Sequence, residues 1–152
     1  MHGAGCVRCG GNPCECRGSR GLGEGLARVR QARLALVDGV RREWGSVSVR
    51  VLRRWWERSR GLLGTWRHGA GAVPVLLLGC SSVHTFGMRY AIDVSMADEA
   101  GRVLASWRAL PPGRVVWARG ARHVLERPSS AGPWPGPGDQ IVLRDVAASP
   151  DM

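Results

Sequence analysis

The spacing of apolar residues divides the chain into a front part with a helical period and a longer part with a strand period. From Leu22 to Trp44, apolar residues recur at steps of three or four, as in an amphipathic helix. The recurring residues are Leu22, Leu26, Val29, Leu36, Val40 and Trp44. Because Gly45 and Ser46 end this pattern, the sequence predicts one arginine-rich amphipathic helix over residues 21–45.

From Ser46 onward the apolar period changes to two. Polar and apolar residues alternate from Ser46 to Val51, as in a half-buried strand, and Trp55–Gly64 follows as a short helix or turn. Further strands are predicted between glycine and proline turns, at residues 73–78, 83–96 (one strand or a pair), 114–118, 123–127 and 140–146. This pattern predicts a mostly-β fold: a compact sandwich or barrel-like domain over residues 46–146, with a short helix near its start and a disordered tail at 147–152.

Length and charge add a second division of the chain. The 152 residues suit one domain and an appendage, and all 22 basic residues are arginine, which fits codon bias. Residues 1–70 carry 14 arginines against 5 acids, whereas residues 71–152 carry 8 against 7. Residues 20–60, which include Trp55 and Trp56, are therefore expected to meet nucleic acid, an anionic membrane surface or an acidic protein. The alternative is that a tryptophan packs into the core and the arginines form a solvated face.

The apolar runs of the chain are too short for a signal peptide or a membrane helix, which favours a cytoplasmic protein. The first residues lack the apolar stretch that a signal peptide needs, and the longest apolar run, Val73–Leu78, is far shorter than the ~20 residues of a membrane helix. We therefore expect no transmembrane segment.

Four cysteines lie close together at the front, at Cys6, Cys9, Cys14 and Cys16. Four thiolates can complete a tetrahedral Zn²⁺ site, and Cys6–Gly10 has the form of a metal-binding knuckle. The short interval between Cys9 and Cys14 departs from usual zinc spacing, so an iron–sulfur site, disulfides or idle thiols remain alternatives. We expect one structural zinc, because four thiolates leave no open position for catalysis.

The segment Cys80–Val94 concentrates reactive side chains. Cys80 is a candidate nucleophile, with His84 as its base and Asp93 orienting the imidazole. In one straight strand, however, Cys80 and His84 would lie ~13 Å apart, so catalysis would need a bend or bulge. The alternative is structural: Cys80 behaves as a small buried hydrophobe, and Thr85, Arg89 and Asp93 face outward or pair with one another. The core face is then lined by Phe86, Met88, Tyr90 and Ile92.

Four short motifs in combination resemble the uncharacterised bacterial and archaeal family known as domain of unknown function 192. They are RGLLG (Arg60–Gly64), Cys80–Val94, DEAGRVL (Asp98–Leu104) and VLE (Val124–Glu126), within a resemblance that covers about residues 47–143. The resemblance implies a compact β-sandwich with a small helix near its start, and no defined activity. It also implies that His84, Arg89 and Asp93 form a ligand-binding rim over a hydrophobic floor. The proline-rich run at 129–138 departs from the family pattern.

Glu126 is a further ligand-binding candidate because it lies within a predicted strand between apolar neighbours. A buried carboxylate there would need a partner, and Arg60 or Arg89 could supply a structural ion pair. His68 and His123 are expected at the surface.

These features favour a non-enzymatic binding or accessory module. Its β domain would recognise a small polar ligand or protein partner, and its basic front element would dock to an anionic or protein surface. A hydrolase or transferase using Cys80 and His84, and a nucleic-acid-binding protein, are the alternatives.

Overall fold

The structure, a computed structural model, describes residues 21–26, 30–69 and 72–146. Two short helices and nine strands make up this part of the chain. In chain order they are α1 (Leu22–Gly25), β1 (Gln31–Val37), β2 (Glu43–Leu52), α2 (Trp55–Arg60), β3 (Val75–Leu78), β4 (Ser82–His84), β5 (Ile92–Ala97), β6 (Val103–Leu110), β7 (Val115–Trp117), β8 (His123–Pro128) and β9 (Gln140–Val146).

Seven of the strands form one mixed sheet in the order β6-β5-β8-β3-β2-β1-β9, and β4 pairs with β7 in a separate small sheet. Neighbouring strands are antiparallel except β2 and β3, which run parallel. The segment that joins this parallel pair includes α2, as a parallel connection must cross over rather than turn back.

The large sheet curls until its two outer strands meet at one end. Arg102, just before β6, forms a bridge with Gln140 at the start of β9. The Val103 N–H donates to the Asp139 carbonyl at 2.8 Å, and the Ile141 N–H donates to the Gly101 carbonyl at 2.8 Å. This partial closure covers backbone groups at sheet edges that would otherwise stay unpaired.

Both faces of the central strand β3 are buried, in two separate hydrophobic clusters. Leu76 and Leu78 pack on one face with residues of β1, β2 and β9, while Val75 and Leu77 pack on the other with residues of β5, β4 and β7. The small β4–β7 sheet thus covers part of the large sheet through the inward-facing Val83 and Val116. Burial on both faces explains why β3 is a continuous apolar run without alternation.

The predicted helix over residues 21–45 is wrong for most of its described length. Helical structure is confined to α1, whereas residues 31–37 form β1 and β2 begins at Glu43. Val40, which a helix would bury, lies in the β1–β2 turn and is 79% exposed. Asp38 forms this turn by accepting hydrogen bonds from the Val40 and Arg42 N–H groups.

The helical pattern failed because it left out a run of period two within the same segment. Ala32, Leu34 and Leu36 alternate along β1, and strand pairing on both sides outweighs local helix preference. The β domain therefore begins before Ser46.

The mostly-β fold is confirmed, with α2 as the short helix near its start. The region 83–96 is a pair of strands, β4 and β5, separated by turns. The cysteine-rich segment and the tail at 147–152 lie outside the described residues.

Candidate functional site

A cleft of about 350 Å³ opens between the end of α2, the end of β3 and strand β4. Three of the predicted site residues, Cys80, His84 and Glu126, line it together. Its apolar wall includes Leu62, Leu63, Leu77, Val83, Met88 and Ile92, and its polar lining includes Arg58, Arg60, Ser81 and Ser82.

The helix α2 is held against the end of β3 by a short set of polar contacts. The Glu57 carboxylate accepts hydrogen bonds from the Arg54 and Arg53 N–H groups, at 3.1 and 3.2 Å, which fixes the start of the helix. The Arg58 guanidinium donates to the Leu78 and Gly79 carbonyls at 2.9 and 2.7 Å. The Arg58 bonds thus join α2 to the end of β3, two of the elements that line the cleft.

Gly61 ends α2 and allows Glu126 to approach the backbone. Its φ is +45°, a conformation that side chains disfavour, and an added Cβ would lie 2.9 Å from the Glu126 Oε2 atom. Glycine at this position therefore provides both the turn and the space for the carboxyl group.

Glu126 lies on β8 at the floor of the cleft and is 3% exposed. Burial raises the pKa of its carboxyl group to about 7, although a hydrogen bond from the Leu62 backbone N–H acts in the opposite direction. Within the described residues, neither Arg60 nor Arg89 forms the expected ion pair with it. A carboxyl group with this pKa can either accept or donate a hydrogen bond near neutral pH.

Cys80 and His84 both line the cleft, but the Cys80 thiol is hydrogen-bonded to a backbone carbonyl. The Cys80 Sγ donates to the Ser82 carbonyl at 3.0 Å. His84 is exposed and stacks on Phe86, with ring centroids 6.1 Å apart. The described contacts therefore do not include the thiol–imidazole hydrogen bond that an activated nucleophile needs.

Asp93 does not orient His84, because its buried carboxylate is bound by arginines. The Arg127 Nε donates to its Oδ2 at 2.9 Å, the Arg108 Nε lies 3.3 Å from its Oδ1, and the Ala109 N–H donates at 2.9 Å. Burial favours a higher pKa for Asp93, but hydrogen bonds from Ala109, Arg127 and Ser130 and the charge of Arg108 bring the pKa below its usual value.

The same arginines hold the proline-rich loop that follows β8. Arg127 donates to the Gly132 and Pro133 carbonyls, and its guanidinium lies 4.5 Å from the ring centroid of Trp134. Arg108 donates to the Ser130 and Gly132 carbonyls. Asp93 is therefore the centre of a structural network.

Arg89 also lies away from the cleft lining, with its guanidinium 4.0 Å from the ring centroid of Trp66. Of the implied rim of His84, Arg89 and Asp93, only His84 lines the cleft, and Glu126 lines it as well. The sequence analysis did not identify Arg58 and Gly61 as site residues, although Gly61 is the second residue of the RGLLG motif.

His123 is buried, contrary to the expected surface position. Burial lowers the pKa of its imidazole, although the nearby Glu99 and Asp98 charges favour a higher value. Its Nε2 lies 3.7 Å from a Glu99 carboxylate oxygen.

In the described ranges, 21–26, 30–69 and 72–146, no group of three or more histidine, cysteine, aspartate or glutamate side chains could hold a metal ion. Cys6, Cys9, Cys14 and Cys16 lie outside those ranges, so the zinc prediction is untested. Neither of the helices in the described part of the chain is long and apolar enough to cross a membrane.

No family model matches the chain, and no curated protein matches it. Among solved structures, a protein from Sinorhizobium meliloti 1021 described as "a putative transcription regulator" has a TM-score of 0.61 at 17% identity, covering 76% of this chain and 95% of that one. A protein of unknown function from Novosphingobium aromaticivorans DSM 12444 has a TM-score of 0.55 at 16% identity, covering 72% and 82%. At these identities the similarity shows the fold alone.

Proposed function

We propose that the chain is a binding module whose β domain holds a small polar ligand in the cleft above Glu126. The observation that carries this proposal is a buried carboxyl group that faces a cleft without an arginine ion pair among the described residues. Such a group is costly to bury, and proteins use buried polar groups of this kind to recognise a matching ligand group.

The lining defines the chemical class of the ligand. Glu126 would accept a hydrogen bond from an ammonium, amide or hydroxyl group, while the exposed Arg60 would pair with a carboxylate or phosphate. The apolar wall accommodates a short carbon chain between them. A small molecule that joins an N–H or O–H donor to an anionic group, such as an amino acid, a hydroxy acid or a sugar phosphate, fits this arrangement.

Thermal-shift screening of these three compound classes, followed by calorimetry of each hit, tests the proposal. The wild type should bind at least one class, and Glu126→Gln and Arg60→Ala should each weaken the binding about tenfold or more. Glu43→Gln is the matched control, because Glu43 is in an exposed ion pair with Arg144 and should bind as the wild type does.

Two results would overturn this assignment. One is a set of hits whose affinities are the same in the wild type and in Glu126→Gln. The other is failure of all three classes to bind the folded wild-type protein.

The enzyme alternative rests on a different observation, that Cys80 and His84 line the same cleft. It requires the thiol to leave the Ser82 carbonyl and pair with the imidazole. Iodoacetamide labelling at neutral pH, measured on the Cys80 peptide by mass spectrometry, distinguishes the enzyme from the binding module. Rapid labelling that falls on His84→Ala would favour a nucleophile, whereas slow labelling in both proteins supports the binding module.

We also propose that the arginine-rich front element, residues 21–45, docks to an anionic or protein surface. Four exposed arginines on or beside β1 and its turn support such docking: Arg30, Arg33, Arg41 and Arg42.

The proposed structural zinc on the front cysteines is tested by elemental analysis. About one zinc per full chain should be found, and it should be lost when residues 1–20 are removed. Membership of the family known as domain of unknown function 192 and a cytoplasmic location remain proposals with this function.

A further inference from the structure

The outer face of the β4–β7 sheet exposes two large apolar side chains, Val115 and Trp117. Register pairs His84 with Val115 and Ser82 with Trp117, while Val83 and Val116 point into the core. Val115 is 50% exposed and Trp117 is 69% exposed. Because side chains alternate along a strand, His84, Val115 and Trp117 share the outer face with the small polar Ser82.

Phe86, which the structural alternative placed on the core face, instead extends this exposed surface beyond the end of β4. Its ring is 56% exposed and stacks on His84 with an interplanar angle of 28°. We call His84, Phe86, Val115 and Trp117 the aromatic face. Single exposed apolar residues are ordinary, but a contiguous group that includes a tryptophan and a phenylalanine marks an interaction surface.

Only positive charges accompany this face along the chain. Residues 79–91 and 111–122 contain Arg89, Arg114, Arg119 and Arg122 and no aspartate or glutamate. Arg114, Arg119 and Arg122 are exposed. Trp117, Arg119 and Arg122 line one shallow depression, so two of these arginines lie beside the tryptophan. These two segments therefore contribute only positive charge to the face, which favours an anionic partner, although Asp98 and Glu99 lie near His123 beside Arg122.

We propose that the aromatic face binds single-stranded nucleic acid, with bases stacked on Trp117, His84 and Phe86 and phosphates paired with Arg114, Arg119 and Arg122. Exposed ring faces and exposed arginines are the two components that single-strand binding uses. A duplex keeps its base faces stacked inside, so it can use only the arginines. This surface lies outside the ligand cleft, apart from His84 at their border, and it is separate from the arginines of the front element.

Fluorescence anisotropy of a labelled thymidine oligonucleotide of about 15 nucleotides, titrated with the full chain, tests the inference. Trp117→Ala and Phe86→Ala should each weaken binding about five- to a hundredfold. The double variant Arg119→Ala with Arg122→Ala should reduce the slope of log affinity against log salt by about 1.4, because two phosphate contacts are lost. All four side chains are exposed, so the variants should keep the wild-type circular dichroism spectrum.

Arg102→Ala and Val142→Ala are the controls, since Arg102 is exposed just before β6 and Val142 is exposed on β9. Both should bind as the wild type does. Binding that falls with Arg42→Ala but not with Trp117→Ala would assign the oligonucleotide to the front element and overturn the inference.

Three further results would also overturn it: no binding at low salt, equal affinity for the matching duplex, or capture by phosphatidylserine vesicles without oligonucleotide binding. Equal affinity for the duplex would mean that charge alone acts. Vesicle capture would identify the face as a membrane contact. Single-strand preference that disappears with Trp117→Ala is the result we expect.

Discussion

Two buried carboxyl groups of this domain have opposite surroundings. Asp93 meets two arginines and backbone N–H groups, which lower its pKa, whereas burial raises the pKa of Glu126 to about 7. The hydrogen bonds to Asp93 come from β6, β8 and the loop after β8. Glu126 retains capacity for a ligand, and this difference separates a structural residue from a candidate binding residue.

The raised pKa of Glu126 gives a pH dependence of stability. Its carboxyl group binds protons more tightly in the folded state, at about 7, than at its ordinary value of 4.5. The contribution of this tighter proton binding to the free energy of unfolding is fully present below about pH 4.5 and is lost as the pH rises through about 7. Glu126→Gln should remove this slope and raise the free energy of unfolding at about pH 8 by roughly 3 kcal/mol at most. Urea unfolding of the wild type and of Glu126→Gln at about pH 5 and about pH 8 measures this difference. An equal change of the unfolding free energy with pH in the two proteins would contradict the burial of Glu126.

Asp93→Ala should destabilise the fold strongly. Removing one member of a buried ion-pair network leaves Arg127 without its carboxylate, so we expect a loss of about 3 kcal/mol or more in the free energy of unfolding. Because folding lowers the pKa of Asp93, its contribution is present above the ordinary value of 3.8 and is lost as the pH falls below it. Glu43→Ala, at an exposed pair, should cost no more than about 1 kcal/mol in the same urea titration. Similar losses in the two variants would refute the proposed role of Asp93.

At the scale of elements, the junction of α2 with β3 determines the shape of the cleft. The Arg58 guanidinium joins the helix to the carbonyls at the end of β3, and Gly61 turns the chain so that Leu62 reaches Glu126. The junction thus converts three sequence-distant segments into one site.

Gly61→Ala tests the close approach at this junction. The new Cβ would be strained at φ +45° and would displace the Glu126 carboxyl group, so we expect a loss of about 2–3 kcal/mol in stability. Gly64→Ala is a matched control, because Gly64 has φ +79° and nothing within 4 Å of the added atom. It should show backbone strain alone, at about 1 kcal/mol. Equal losses in thermal or urea unfolding would show that Glu126 does not pack against Gly61.

The strands could be predicted where turn residues bound a clear period. Gln140–Val146 forms β9 at the predicted bounds, and Glu126 lies inside a strand as expected. The front helix was wrong because only Leu36 of the alternating residues Ala32, Leu34 and Leu36 fits the helical spacing, and the strand period that they share was left out. The partners of Asp93 were also hidden, because Arg108 and Arg127 come from two other strands. A single sequence carries no signal for such pairings.

At the scale of the whole molecule, closure of the large sheet joins the two ends of the β domain. The turn at Gly101, between β5 and β6, packs directly on the backbone of β9. This contact connects the front strands β1 and β2 with the strands that carry Asp93 and Glu126.

Gly101→Ala should disrupt this closure. Gly101 has φ +87°, and its added Cβ would overlap the Ile141 carbonyl oxygen, which is backbone and cannot move aside without shifting β9. We expect a loss of about 3 kcal/mol in the free energy of unfolding. Gly113→Ala, at φ +81° with nothing within 4 Å, should cost about 1 kcal/mol. A Gly101→Ala variant as stable as Gly113→Ala would argue against a closed sheet.

The most direct test of the central claim is a two-dimensional NMR titration of the isotope-labelled full chain with the amino acids, hydroxy acids and sugar phosphates named above. The account predicts saturable shifts for at least one class, largest at the amides of Leu62, Cys80 and Glu126, and loss of those shifts in Glu126→Gln. Shifts that cluster on another surface, or that persist unchanged in Glu126→Gln, would contradict a ligand site at this cleft.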